Sequence, residues 1–346
     1  MRVRRTLTAA TGLLAASALA LAGCASSSPE DDAAPAAEET ADQFPITIEH
    51  ALGTTTIEEE PTRVATWGWG STEAAIASGV YPVAVAEQIW TVGEDALLPW
   101  VETAYEEAGE ELPVLLDDSA GGEEVPYEQF AETAPDLIIA TYSGLTEEQY
   151  ALLEEIAPVV AYPEAPWTTP WDENITLTAE ALGRSEAGAD VLAEFEDYAA
   201  GIAADHPEFE GKTIAAIVDD PQNGQIFVYN SSDPRAGFLE KLGFTTAPAV
   251  DELDPTGGED FFYTLSYEEL DKLESDVVVA YTYTEEQAEA LPDSKELSAL
   301  PALRDGMVAQ VVGTVNVSSV SPPTALSYDW PEGVPALAEN LGELLG

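Results

Sequence analysis

The chain is poor in cations, histidines and cysteines, and each shortage removes a class of function. Eleven Lys and Arg stand against 66 Asp and Glu in 346 residues, a formal charge of -55 at neutral pH. Such a field repels phosphate and excludes nucleic acid as a partner. It also favours a neutral or cationic ligand over a strongly anionic one, although most of these carboxylates serve solubility. Two histidines, His50 and His206, are too few for a zinc or manganese receptor, which needs several converging imidazoles. Neither lies near a Ser-containing elbow, so a serine hydrolase lacks its base. A single cysteine, Cys24, rules out a disulfide within the chain. No GxxxxGK[ST] and no GxGxxG after a strand occurs, which removes the common nucleotide sites. Paired carboxylates for glycoside hydrolysis stay open, because acids are too abundant here for counting to decide. Direct Fe(III) capture by some of the 13 tyrosines stays open too. The apolar run Leu13 to Leu21 is too short to span a bilayer.

What is present begins with an export signal over residues 1–23: Arg2, Arg4 and Arg5, the apolar run, then Ala22 and Gly23. "LAGC" ending at Cys24 resembles the bacterial lipobox, which implies cleavage before Cys24 and acylation of its thiol. Residues 24–43 carry no aromatic or branched aliphatic side chain after the cysteine until the fold begins near Phe44, so they read as a disordered tether.

From Arg63 onward, short β-branched runs alternate with helical patterns. "RVATW", "PVAVAE", "DLIIATY" and "PVVAY" are strand candidates. Between them, helices are predicted near Thr72–Ala77, Pro99–Ala108, Tyr127–Thr133 and Glu147–Glu155. The order returns with "KTIAAIVDD", "QIFVYN", "DVVVAYTY" and "MVAQVVG". Helices are predicted there near Arg235–Leu242, Tyr267–Leu273, Glu285–Leu291 and Thr324–Leu345. "YEQFAETAPDLIIATYSGLTEEQ" at 127–149 matches "YEELDKLESDVVVAYTYTEEQ" at 267–287: Tyr-Glu opens a helix, Asp follows nine residues after the Tyr, then comes a strand, then "TEEQ". An internal repeat of this kind means two similar α/β lobes with mainly parallel sheets, over 44–173 and 205–346. Between them, 174–204 contains no proline and keeps a helical apolar period. It predicts one interlobe helix of about 45 Å, interrupted at most at Gly183 or Gly188.

Two lobes bridged by one helix, "PTRVAT", "YEQFAETAPDLIIA" and "ALGRSEAGADVLAEFEDY" resemble the Fe/B12-type periplasmic-binding family, the helical-backbone class III of ABC solute receptors. "ATWGWGSTEAAIASGVYPVAV" and "ATYSGLTEEQYALLEEIAPVVAYPEAPWTTPW" are similar to actinobacterial iron-siderophore receptors. The resemblance implies a non-enzymatic, monomeric binding lipoprotein on the extracellular face of a Gram-positive cytoplasmic membrane. It would serve a permease dimer with its ATPase, without an intrinsic cofactor, and its Fe(III) would arrive inside the siderophore. A haem or a corrinoid is the alternative cargo.

In open α/β sheets ligands bind beyond the carboxyl ends of the strands. Those positions are aromatic here: Trp67 and Trp69 in "TWGWG", Trp90, Tyr142, Trp167 and Trp171 in the first half, and Tyr229 with Tyr281 and Tyr283 in the second. A siderophore satisfies iron with its own oxygens and presents hydrocarbon and amide outside, so broad aromatic walls and a few donors suit it. Three of the eleven cations precede Cys24, leaving eight. Of these Arg235, in "YNSSDPRAGFLEKLG", is best placed either to donate to hydroxamate oxygens or to pair with a carboxylate. Glu128 and Glu268 hold the same place in the two repeats, and the resemblance implies that they dock on arginines of the two permease subunits.

Overall fold

The computed structural model describes residues 42–88 and 96–346. The signal segment, Cys24, most of the tether and Trp90 lie outside the described residues. An antiparallel hairpin, β1 (Ile46–His50) and β2 (Gly53–Ile57), comes first. The first lobe follows: β3 (Val64–Thr66), α1 (Ser71–Ala77), β4 (Ala84–Ala86), α2 (Pro99–Ala108), β5 (Val114–Leu116), α3 (Tyr127–Thr133), β6 (Leu137–Ala140), α4 (Glu147–Glu154) and β7 (Val159–Ala161). Its five strands form a wholly parallel sheet in the order β5-β4-β3-β6-β7. Then come α5 (Trp171–Ala181) and α6 (Ser185–Asp205).

The second lobe has β8 (Thr213–Asp220), β9 (Gln225–Tyr229), α7 (Pro234–Lys241), β10 (Thr245–Thr246), α8 (Pro248–Glu252), β11 (Phe262–Ser266), β12 (Val277–Thr282), α9 (Glu285–Ala290), α10 (Pro301–Arg304), β13 (Val308–Val312), α11 (Thr314–Ser318) and α12 (Val334–Leu345). Its sheet runs β11-β9-β8-β12-β13, with β10 beside β8, and it is mixed. β8, β12, β13 and β10 are parallel, whereas β8 with β9 and β9 with β11 are antiparallel. The link from Asp220 to Gln225 is far too short for a parallel crossover, so "KTIAAIVDD" and "QIFVYN" close as a hairpin.

The central strands are apolar throughout because helices cover both faces of each sheet. In β6, Ile138 and Ala140 enter one core while Leu137 and Ile139 enter the other. In β12, Val277 and Val279 are divided in the same way from Val278 and Ala280. The repeat seen in the sequence reappears in matching hydrogen bonds. The backbone N–H and hydroxyl of Thr62 donate to Asp136, both at 2.8 Å, and those of Thr213 donate to Asp276, both at 2.8 Å. Thr146 with Gln149 and Thr284 with Gln287 close identical capping boxes on α4 and α9. The copies also differ: Tyr267–Lys272 is a 3-10 helix where its counterpart α3 is an α-helix.

The stretch predicted as one helix from Asn174 to Ala204 is two helices. Gly183, with φ +68°, turns the chain between α5 and α6, and the Phe44 ring packs where a β-carbon would stand, 2.6 Å away. The bridge between the lobes is therefore α6, 21 residues and about 31 Å long. Its midpoint, Phe195, is fully buried against Trp171, centroids 4.2 Å apart, and against Phe238 of the second lobe at 5.8 Å. The last helix starts at Val334, not at Thr324. Pro322, Pro323 and Pro331 interrupt the preceding stretch, which crosses to the first lobe instead.

Candidate functional site

The turn after β3 is fixed by backbone pairing: Trp67 N–H donates to Ile139 O and Trp69 N–H to Tyr142 O, both at 2.9 Å. Two residues apart, the indoles go opposite ways. Trp67 is 1% exposed and packs on Phe130 inside the first lobe, away from the cleft. Trp69 faces the second lobe, and its Nε1 donates to Pro322 O at 3.3 Å. A buried polar network holds this turn: Thr141 donates to Asn174 Oδ1 at 2.6 Å, and Asn174 Nδ2 donates to Trp69 O at 3.3 Å.

Trp69, Tyr142 and Trp171 meet Pro322, Pro323 and Thr324 across a seam that encloses about 10 Å³, no more than one water. A larger ligand held at this seam has to part the lobes. Trp167 stands beside it, 5.8 Å from Tyr142 in an edge-on contact. Its indole lies so close over Gly144 that no β-carbon fits there.

The second lobe supplies a different wall. Asp233 caps α7, accepting from Arg235 N–H at 2.8 Å, and also receives the Arg235 guanidinium at 2.7 Å (Nε) and 2.9 Å (Nη2). The Arg235 Cζ lies 3.7 Å from the Tyr229 ring centroid, and Tyr229 stands 5.9 Å from Tyr281. Burial opposes the charge on Arg235, but Asp233 and the surrounding phenols hold its pKa well above the ordinary value. Burial pushes the Asp233 carboxyl upward while the guanidinium pulls it down. The net effect on Asp233 is upward, and the pair is ionic on its geometry: both carboxylate oxygens accept from the guanidinium in a two-point contact. Burial likewise raises the phenols of Tyr142, Tyr229 and Tyr281, and pushes Tyr283 up to about 12, so all four are neutral donors. Tyr142 belongs to the first lobe, yet Asp233, Arg235 and Tyr229 all act on its pKa, which ties the two walls together electrostatically.

The structure thus brings Trp69, Tyr142 and Trp171 together at the seam with Trp167 beside them, and groups Tyr229, Arg235, Tyr281 and Tyr283 opposite. Glu128 and Glu268 are exposed in the first turns of their helices. His50 bonds Thr55 at 3.0 Å, and His206 pairs with Glu208 at 2.9 Å. Sequence reasoning missed Glu73 on α1, a fully buried carboxyl that accepts from Trp100 Nε1 at 3.1 Å; Trp100 in turn meets Trp330 edge-on at 5.5 Å. Burial raises the Glu73 pKa, against the hydrogen bonds from Trp100 and Thr324. Its one signal in sequence is an acid amid the small apolar run "STEAAIA".

The model of the family described as periplasmic binding protein matches residues 64–311. The chain is 30% identical to Streptococcus pneumoniae TIGR4 PiaA, solved in complex with ferrichrome, with a TM-score of 0.78 over 87% of this chain and 98% of that one. It is 28% identical over 250 residues, 70% of each chain, to the probable siderophore-binding lipoprotein YfiY of Bacillus subtilis. It is 26% identical over 276 residues to the Fe(3+)-citrate-binding protein YfmC of the same organism, 79% of this chain and 78% of that one. A family match across most of the folded chain, over two sheets bridged by α6, establishes that this chain belongs to the periplasmic binding protein family.

Proposed function

We propose that this chain is the extracytoplasmic substrate-binding lipoprotein of an ABC importer, and that it captures a ferric siderophore of hydroxamate type between its lobes. The observation that carries this reading is the pairing of unlike walls at the strand ends. Trp69, Trp167 and Trp171 offer broad apolar faces, while Arg235 and four neutral phenols offer donors to chelator oxygens. The names of YfiY and PiaA point the same way. Fe(III) is cargo here, wrapped by the chelator. No step of bond making or breaking is required of the protein, which matches a solute-binding family rather than an enzyme. Acylated Cys24 would hold the chain to the outer face of the cytoplasmic membrane.

Docking on the permease falls to Glu128 and Glu268, exposed at matching places of the two lobes, as a two-fold symmetric partner requires. Uptake of radiolabelled ferrichrome iron by iron-starved cells tests both halves of the proposal. Deleting the chain should abolish uptake. Glu128→Arg or Glu268→Arg should reduce uptake at unchanged siderophore affinity, and the double variant should match the deletion. Uptake that survives deletion would overturn the importer role; full-rate uptake by both single variants would return these glutamates to ordinary helix-terminus duty.

A further inference from the structure

The Arg235–Asp233 pair carries an implication for which ferric complex the cleft accepts. Among the described residues Arg235 is the one buried Lys or Arg. The others stand at or near the surface and are engaged elsewhere where their partners are seen. Arg63 donates to the carbonyls of Thr133 and Ala134, Arg184 pairs with Glu60, Lys241 with Glu196, and Lys272 with Glu269. Arg235 is therefore the positive charge of the cleft, and it is not free. The Asp233 side chain is wholly inaccessible and takes the guanidinium through both carboxylate oxygens, at 2.7 and 2.9 Å. A lone buried guanidinium would demand an anion from its ligand. Paired in this way it donates hydrogen bonds but adds no net charge, and the phenols of Tyr142, Tyr229, Tyr281 and Tyr283 around it are neutral.

We infer that Asp233 is a specificity-determining positioning residue: by cancelling and orienting Arg235 it makes the polar anchor of the cleft electrically neutral, so the site selects an uncharged ferric chelate over an anionic one. The inference rests on the siderophore reading above and names the charge class within it. An anionic chelate seated at this anchor would leave its own charge uncompensated beside the Asp233 carboxylate, within a protein whose whole field is already -55.

The test compares ferrichrome, which is uncharged, with a ferric tris-catecholate carrying three negative charges. Both are titrated into the full-length chain by calorimetry. Unmodified protein should prefer ferrichrome. In Asp233→Asn the guanidinium keeps a hydrogen-bonding neighbour but loses its counter-charge. The affinity ratio should then move toward the catecholate by about tenfold or more per unit of ligand charge, the order expected for a unit charge acting through several ångströms at an effective dielectric near 20. Asp233→Asn/Arg235→Gln, with no charge at the site, should restore the unmodified ratio even if it weakens both ligands, and it serves alone if the single variant does not fold. A ratio unmoved in Asp233→Asn, or one that swings further toward ferrichrome in the double variant, would overturn the inference while leaving the receptor reading intact. Binding of neither complex by the unmodified chain would overturn the siderophore reading, and this inference with it.

Discussion

At the seam the first lobe presents Trp69 and Tyr142, with Trp167 beside them, all aromatic rings. The second lobe presents Tyr229, Tyr281, Tyr283 and the Arg235–Asp233 pair. At the opposite ends of the strands the lobes are alike in the Thr62–Asp136 and Thr213–Asp276 clamps. The scaffold repeats where it only has to hold the sheet, and departs from the repeat where it meets the cleft. One wall supplies apolar area and the other supplies direction, a division that suits a ligand whose metal is already satisfied.

The largest expected effect separates the two walls. Arg235→Ala removes the donor and strands Asp233 as a buried unpaired carboxylate. It should cost about 3–5 kcal/mol of folding stability and at least about 100-fold in siderophore affinity, read by denaturant unfolding and calorimetry. Equal losses from a first-lobe change such as Trp167→Phe would break the proposed division of roles.

A middle-sized effect comes from Gly144, where a β-carbon would collide with the Trp167 indole. Gly144→Ala should push that ring off its seat, costing about 1–3 kcal/mol of stability and reducing ligand affinity while leaving the Arg235–Asp233 side untouched. A variant that binds and melts like the unmodified chain would show that Trp167 is not held where the structure places it.

The smallest effect asks whether the first lobe is electrically quiet. Burial raises the Asp118 carboxyl from 3.8 to about 6, opposed by the Gly122 N–H and assisted by Glu87 and Asp117. Because the folded value exceeds the unfolded one, protonation favours the fold. The contribution is complete below about pH 4 and is lost as pH rises through about 6. Thermal melts should therefore show stability declining between about pH 4 and 6, and Asp118→Asn should flatten that part of the profile. An unchanged profile would remove Asp118 from the account.

Much of the scaffold was legible before the structure. The eight β-branched runs all became strands, because a strand buried on both faces reads as continuous apolar sequence. Direction was not legible: "QIFVYN" looks the same parallel or antiparallel, and only the short link to β8 decides. Gly183 was legible as one of two places where the interlobe helix could be interrupted; that the chain ends one helix there was not, since Ile175, Leu182 and Val191 keep helical period across it and the Phe44 ring that takes the place of a β-carbon comes from 139 residues earlier. At the site, residue type was legible and side was not. Trp67 and Trp69 share one turn, and only the pairing of their backbone N–H groups sends one inward and the other to the cleft. Glu73 was hidden among 66 acids, and Asp233 reads in "DPR" as a helix cap with nothing to mark its second duty.

The central claim is that the interlobe cleft receives a ferric hydroxamate. Trp69, Trp167 and Trp171 stand at or beside the seam, so an Fe(III) complex seated there lies close enough to quench their fluorescence. Titrating the chain with ferrichrome should give saturable quenching at one equivalent, with Kd below about 1 µM. A tryptophan signal that stays flat up to about 1 mM ferrichrome, with no heat of binding in the calorimeter, would contradict the account.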